Sequence, residues 1–131
     1  MSIEPNKQIT LRFAGWWWIG LSAIHALGGI VLYFDQWQEI VQAGWFNVIA
    51  PDPTAPIFPR EDAFWFMFLT PFLFIMGELC LWANRQKLVF PISVGIILLI
   101  TMLVGIFLIP VSGIWIALPP TIVMLISSKN S

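Results

Sequence analysis

The chain has 131 residues, 59% hydrophobic and 10% charged, with a formal net charge of -1 and a mean hydropathy of +0.87. A soluble globule of this size has too much surface to hide so large an apolar fraction, so lipid is the expected solvent. The near-neutral charge, with no basic cluster, argues against a nucleic-acid partner, and the lone Cys80 leaves neither a disulfide framework nor a cysteine-based metal site.

The first apolar stretch runs over 13–34 and reads as a retained membrane span. It is too long for the apolar core of a signal peptide, and Leu32-Tyr33-Phe34 stands where small cleavage-site residues would be. Further apolar stretches cover 63–83, 88–109 and 112–126, the last counted as a span to 128. The first three reach about 20 residues, enough for a hydrocarbon core of about 30 Å. The fourth is short at about 22 Å and spans only if Ser127, Ser128 and a snorkelling Lys129 extend it. Lys7, Arg12, Arg85, Lys87 and Lys129 then fall on one side, and only Arg60 on the other, among Asp35, Glu39, Asp52, Glu61 and Asp62. Basic residues near span ends are retained in the cytoplasm. The expected fold is therefore all-α: a single-domain integral membrane four-helix bundle with both termini cytoplasmic and residues 35–62 outside.

Tryptophan placement fits these depths. Trp16, Trp17, Trp18 and Trp82 fall near the inner interface, and Trp37, Trp45, Trp65 and Trp115 near the outer one, where indole rings anchor. Within 35–62, Trp37, Ile40, Val41 and Gly44 share a helical face, which predicts a short helix lying in the headgroup layer. Pro51, Pro53, Pro56 and Pro59 predict an extended return path, ending in an acidic helix start at Arg60-Glu61-Asp62.

Four groups of residues, taken in order, carry a resemblance. They are Gly20…His25…Gly28, Gly44-Trp45-Phe46-Asn47-Val48, Arg60…Ala63-Phe64-Trp65-Phe66, and Pro110-Val111-Ser112-Gly113-Ile114-Trp115 before Leu118-Pro119-Pro120. Together they make the chain similar to a bacterial family of small four-helix integral membrane proteins with no assigned function. The resemblance implies a bacterial plasma membrane, multi-pass, and supplies no reaction.

Two ionisable side chains fall inside the spans, His25 and Glu78. Such residues are costly in lipid and face the bundle interior and a partner. His25 lies about 13 Å below the outer end of its helix and Glu78 about 8 Å from the inner end of its own. Thr70, Pro71, Thr101, Pro119, Pro120 and Thr121 fall in the same layer as His25. The prolines leave the carbonyls of Met67, Trp115 and Ile116 without their helical donors. The layer suggests a small polar pocket, with His25, Thr70, Thr101 and Thr121 as candidate ligand-binding residues and Glu78 as a candidate proton-coupling carboxylate. The competing reading is structural. Threonines bond their own helix, and Ser22, Ala26 and Gly29 around His25 form a packing seam, with Glu78 snorkelled or paired to Arg85.

The leading expectation for function is binding of a hydrophobic small molecule or docking on a membrane protein partner, with the lipid bilayer itself as the other partner and homo-oligomerisation compatible with the sequence. A proton-coupled transporter using Glu78 comes second. The chain is similar in size to dimeric multidrug exporters, although their acid lies in the first helix. A lipid-modifying isomerase comes third. No nucleophile–base pair, metal cluster or phosphate loop is legible, so no catalytic residue, metal or cofactor is assigned, and a single histidine gives little support to haem.

Overall fold

The computed structural model describes residues 5–128 and is all-α, with five α-helices, one 3-10 helix and no strand among those residues. Helix α1 spans Pro5–Leu32. It begins ahead of the apolar stretch because Pro5 suits a first helical position and Lys7, Gln8 and Arg12 are good helix formers. Hydropathy marks the apolar length, not the helix ends. The chain bends at Tyr33 (φ -114°, ψ 28°) into α2, Phe34–Gln42, the expected short helix, which buries Ile40.

Helix α2 ends in a Schellman motif. Gly44, at φ +91°, donates its N–H to the Val41 carbonyl, and Trp45 donates to Ile40 (3.1 and 3.3 Å). The next N–H, from Phe46, returns to the Gly44 carbonyl at 2.8 Å around Trp45, whose φ is 69°. A γ-turn with positive φ at its centre is rare and strained for a bulky residue. The proline-rich return is irregular, as expected. Within it an Asx-turn forms: the Asp52 carboxylate accepts from the Thr54 N–H at 2.9 Å and hydroxyl at 2.7 Å. The Thr54 hydroxyl, then its N–H, hold the Asp52 carboxyl below the usual carboxylate range.

Pro59 departs from expectation. It sits in the first turn of α3, Phe58–Arg85, where a missing N–H has no intrahelical acceptor to disappoint. Helix α3 carries Pro71 inside it and closes in a second Schellman motif, with Lys87 at φ 57° and Leu88 donating to the Ala83 carbonyl at 2.8 Å. That motif and Pro91 delay α4, which runs over Ile92–Leu108 and not from Leu88.

The fourth apolar stretch is two elements, a 3-10 helix over Gly113–Ala117 and α5 over Leu118–Ser128. Pro119 and Pro120, expected as breaks within a helix, instead occupy the first turn of α5. Two of the three carbonyls expected to lack donors have found substitutes. Trp115 accepts from the Leu118 N–H, and Ile116 from the indole N–H of Trp17 at 2.8 Å. Lys129 lies outside the described residues.

The chain divides into two compact units, Ser22–Phe72 and a second made from the segments up to Leu21 and from Leu73 onward. The second unit has a core of Ala14, Trp18, Cys80, Ala117 and Met124. Trp18 is 1% exposed there, so it does not share the surface position of Trp16 at 59%. Consecutive helical residues point about 100° apart, and three in a row cannot all face outward. In the same unit α1 and α3 meet at glycines: a Cβ on Gly77 would stand 2.8 Å from the Gly15 carbonyl oxygen and 3.0 Å from the Ile19 nitrogen. By length and composition, α1 from Thr10 and all of α3 could cross a membrane, while α4 and the Gly113–Ser128 segment are shorter apolar helices.

Candidate functional site

Within Ser22–Phe72, Ser22, His25 and Thr70 gather on a seam between α1 and α3. Ser22, His25 and Gly29 recur at helical spacing, so one face of α1 carries a hydroxyl, an imidazole and a gap. Each meets the α3 backbone or its side chains. The Ser22 hydroxyl donates to the Thr70 carbonyl at 3.3 Å, and His25 Nε2 lies 2.8 Å from the Phe66 carbonyl oxygen. At Gly29 an added Cβ would fall 2.9 Å from Met67 Cε and 3.1 Å from Phe66 Cδ1. His25 also stacks on the Phe66 ring, with centroids 4.0 Å apart and planes 11° from parallel. The two carbonyls are four residues apart on α3, Phe66 just before Met67 and Thr70 just before Pro71.

The candidate residues thus separate. His25 and Thr70 belong to this seam, where the Thr70 hydroxyl points to Met67 Sδ at 3.6 Å. Thr101 and Thr121 lie in the other unit, and each donates to the carbonyl four residues back on its own segment, Ile97 at 2.8 Å and Ala117 at 2.7 Å. Glu78 is on the exposed face of α3 among Phe74, Ile75 and Trp82. The pairing with Arg85 is not formed. The ion pair recorded among the described residues joins Arg60 Nε to Glu39 at 3.2 Å.

Two cavities in Ser22–Phe72 went unread in the sequence. The larger, about 590 Å³, is a groove lined by Ile30, Phe34, Trp37, Gln38, Val41, Gln42, Trp45 and Met67. Its walls are the upper turns of α1, one face of α2, and Trp45 past the Schellman turn, with two amides as its polar groups. Trp37 is fixed by donation of its indole N–H to the Gly29 carbonyl at 3.1 Å. The smaller cavity, about 330 Å³, is bounded by Trp45, Asn47, Val48, Glu61, Phe64 and Trp65, with Ile49 and Ala50 completing it. The signal was present in the amphipathic spacing of α2 and in Trp45-Phe46, which a Gly44 turn holds outward.

No group of three or more His, Cys, Asp or Glu side chains that could hold a metal ion occurs among the described residues. The site these elements define is an apolar, aromatic-walled groove on an all-α scaffold. The chain belongs to the family of unknown function DUF6463, which matches residues 10–131, in agreement with the expected membership of a family without an assigned activity. No curated protein and no solved structure matches it.

Proposed function

We propose that the chain is a multi-pass membrane protein that holds a hydrophobic or amphipathic ligand in the groove formed by α2, the end of α1 and Met67. The observation that carries this reading is the groove itself. Its volume lies within the range of small-molecule sites, and its walls are apolar and aromatic with Gln38 and Gln42 as orienting amides. The membrane part is supported by outward-facing apolar side chains such as Leu27 at 64%, Val31 at 74% and Phe107 at 85% exposure, which water would leave unburied. On this reading α2 lies in the outer headgroup layer, and the polar seam at His25 is the fastening that holds α1 against α3 beneath it.

The test is native mass spectrometry of the full chain released from a mild detergent. A stoichiometric apolar or amphipathic adduct is expected, lost in Val41→Trp, which fills the groove, and retained in Ile97→Trp, an exposed position of the other unit. A parent without adduct, or equal adduct in both variants, would overturn it.

A further inference from the structure

We propose that the smaller cavity is a binding site for a quaternary ammonium group, carried by a choline-type lipid headgroup or by a free compound. Its walls include three aromatic rings. Phe64 and Trp65 meet edge to face, with centroids 5.1 Å apart and planes at 72°, so they form a corner, and Trp45 is a further wall. Aromatic faces at an angle attract a cation through their quadrupoles. The cavity also holds one anionic side chain, Glu61, which is half-buried and joins no ion pair among the described residues. Arg60, the only cation between residues 35 and 62, is drawn elsewhere: it bonds Glu39 and donates Nη1–H to the Val48 carbonyl at 3.1 Å. That leaves Glu61 to complement an incoming positive charge.

The class of cation follows from the lining. Beside the Glu61 carboxylate and the Asn47 amide, the walls are apolar or aromatic, with Val48, Ile49 and Ala50 next to the three rings. A primary ammonium would spend its three N–H donors on those two polar side chains and not on the rings. A quaternary ammonium has no donor to satisfy and presents methyl groups to the rings, the arrangement by which aromatic cages take choline-like ligands. The γ-turn at Trp45 fixes the shared wall without any ligand. This inference does not depend on occupancy of the larger groove.

The experiment is isothermal titration of the full chain, in maltoside micelles free of choline groups, with tetramethylammonium chloride against a sodium chloride control. A second arm reconstitutes the chain in phosphatidylglycerol discs with a minor share of phosphatidylcholine and reads retained lipid by native mass spectrometry. Saturable tetramethylammonium binding, weakened about tenfold by Glu61→Gln and by Trp65→Leu, is expected for a free ligand. Selective retention of phosphatidylcholine, lost in Glu61→Gln, identifies a headgroup. Absence of both, or binding indifferent to both substitutions, overturns the proposal. Circular dichroism checks the fold of each variant, and Glu61→Gln alone decides should Trp65→Leu fail to fold. The groove-filling Val41→Trp should leave tetramethylammonium binding within about twofold, so failure of one reading is distinguishable from failure of the other.

Discussion

His25 donates through Nε2 to the carbonyl oxygen of Phe66 at 2.8 Å while its ring lies against the ring of the same residue at 4.0 Å. The carbonyl can only accept, so Nε2 carries the proton, and a neutral His25 is the Nε2–H tautomer. Phe66 is thereby held twice, by backbone and by ring.

This doubled contact makes His25 a fastening, with a consequence for substitution. His25→Gln keeps a donor and loses the stacked ring; His25→Leu loses the donor as well. The expected outcome is a drop in thermal stability for Leu of about 1 kcal/mol beyond that of Gln, with the groove adduct unchanged in both. Thermal unfolding with adduct mass measured in parallel checks this. A Gln variant that unfolds like the parent but loses the adduct would return His25 to ligand binding.

The glycine contact between α1 and α3 predicts an asymmetry. Gly77→Ala places a methyl against backbone atoms of Gly15 and Ile19, which cannot rotate away. Destabilisation of about 1–3 kcal/mol is expected despite the better helix propensity of alanine. Gly20 has nothing within 4 Å of an added Cβ, so Gly20→Ala should be neutral or stabilising by up to about 1 kcal/mol. Melting temperatures of the two variants in one detergent decide it.

Arg60 ties α3 to α2 through Glu39 and to the connection between them through the Val48 carbonyl. A lysine ammonium lacks the planar fork that reaches both. Arg60→Lys should therefore speed amide exchange from Gly44 to Val48 by about tenfold while leaving exchange within α4 unchanged, as read by hydrogen–deuterium exchange.

The proposed membrane topology places the proline-rich connection and the turn after α3 on opposite sides. Ala55→Cys should be labelled by an impermeant thiol reagent from outside intact cells, and Gln86→Cys only after permeabilisation. Cys80 is buried and should give little background. Labelling of both from one face would end the four-span arrangement.

Much of the helical plan was legible because its signals are local: apolar length marked α1 and α3, and the spacing of Trp37, Ile40 and Val41 marked α2. The proline positions were harder. Pro59, Pro119 and Pro120 read as obstacles, yet each sits in a first turn, where its effect depends on which neighbour begins the helix. Nor could the chain order show that Trp17, 99 residues away, donates to Ile116, because that bond depends on packing alone. The seam around His25 was visible as spacing, whereas the cavities were not, since they arise where α2 and the Gly44 turn bring Trp45 beside residues from other segments.

The run of assigned bonds from Ala43 to Phe46 also makes that part of the chain a fixed-length device. Every N–H there already has its acceptor, so one inserted or deleted residue would shift the whole register and swing Trp45 away from both cavities. Past the Asx-turn, between Ala55 and Pro56, the exposed backbone is less constrained. An epitope or fluorophore placed there would travel with the protein without disturbing its geometry, and the same graft at Gly44 would dismantle it.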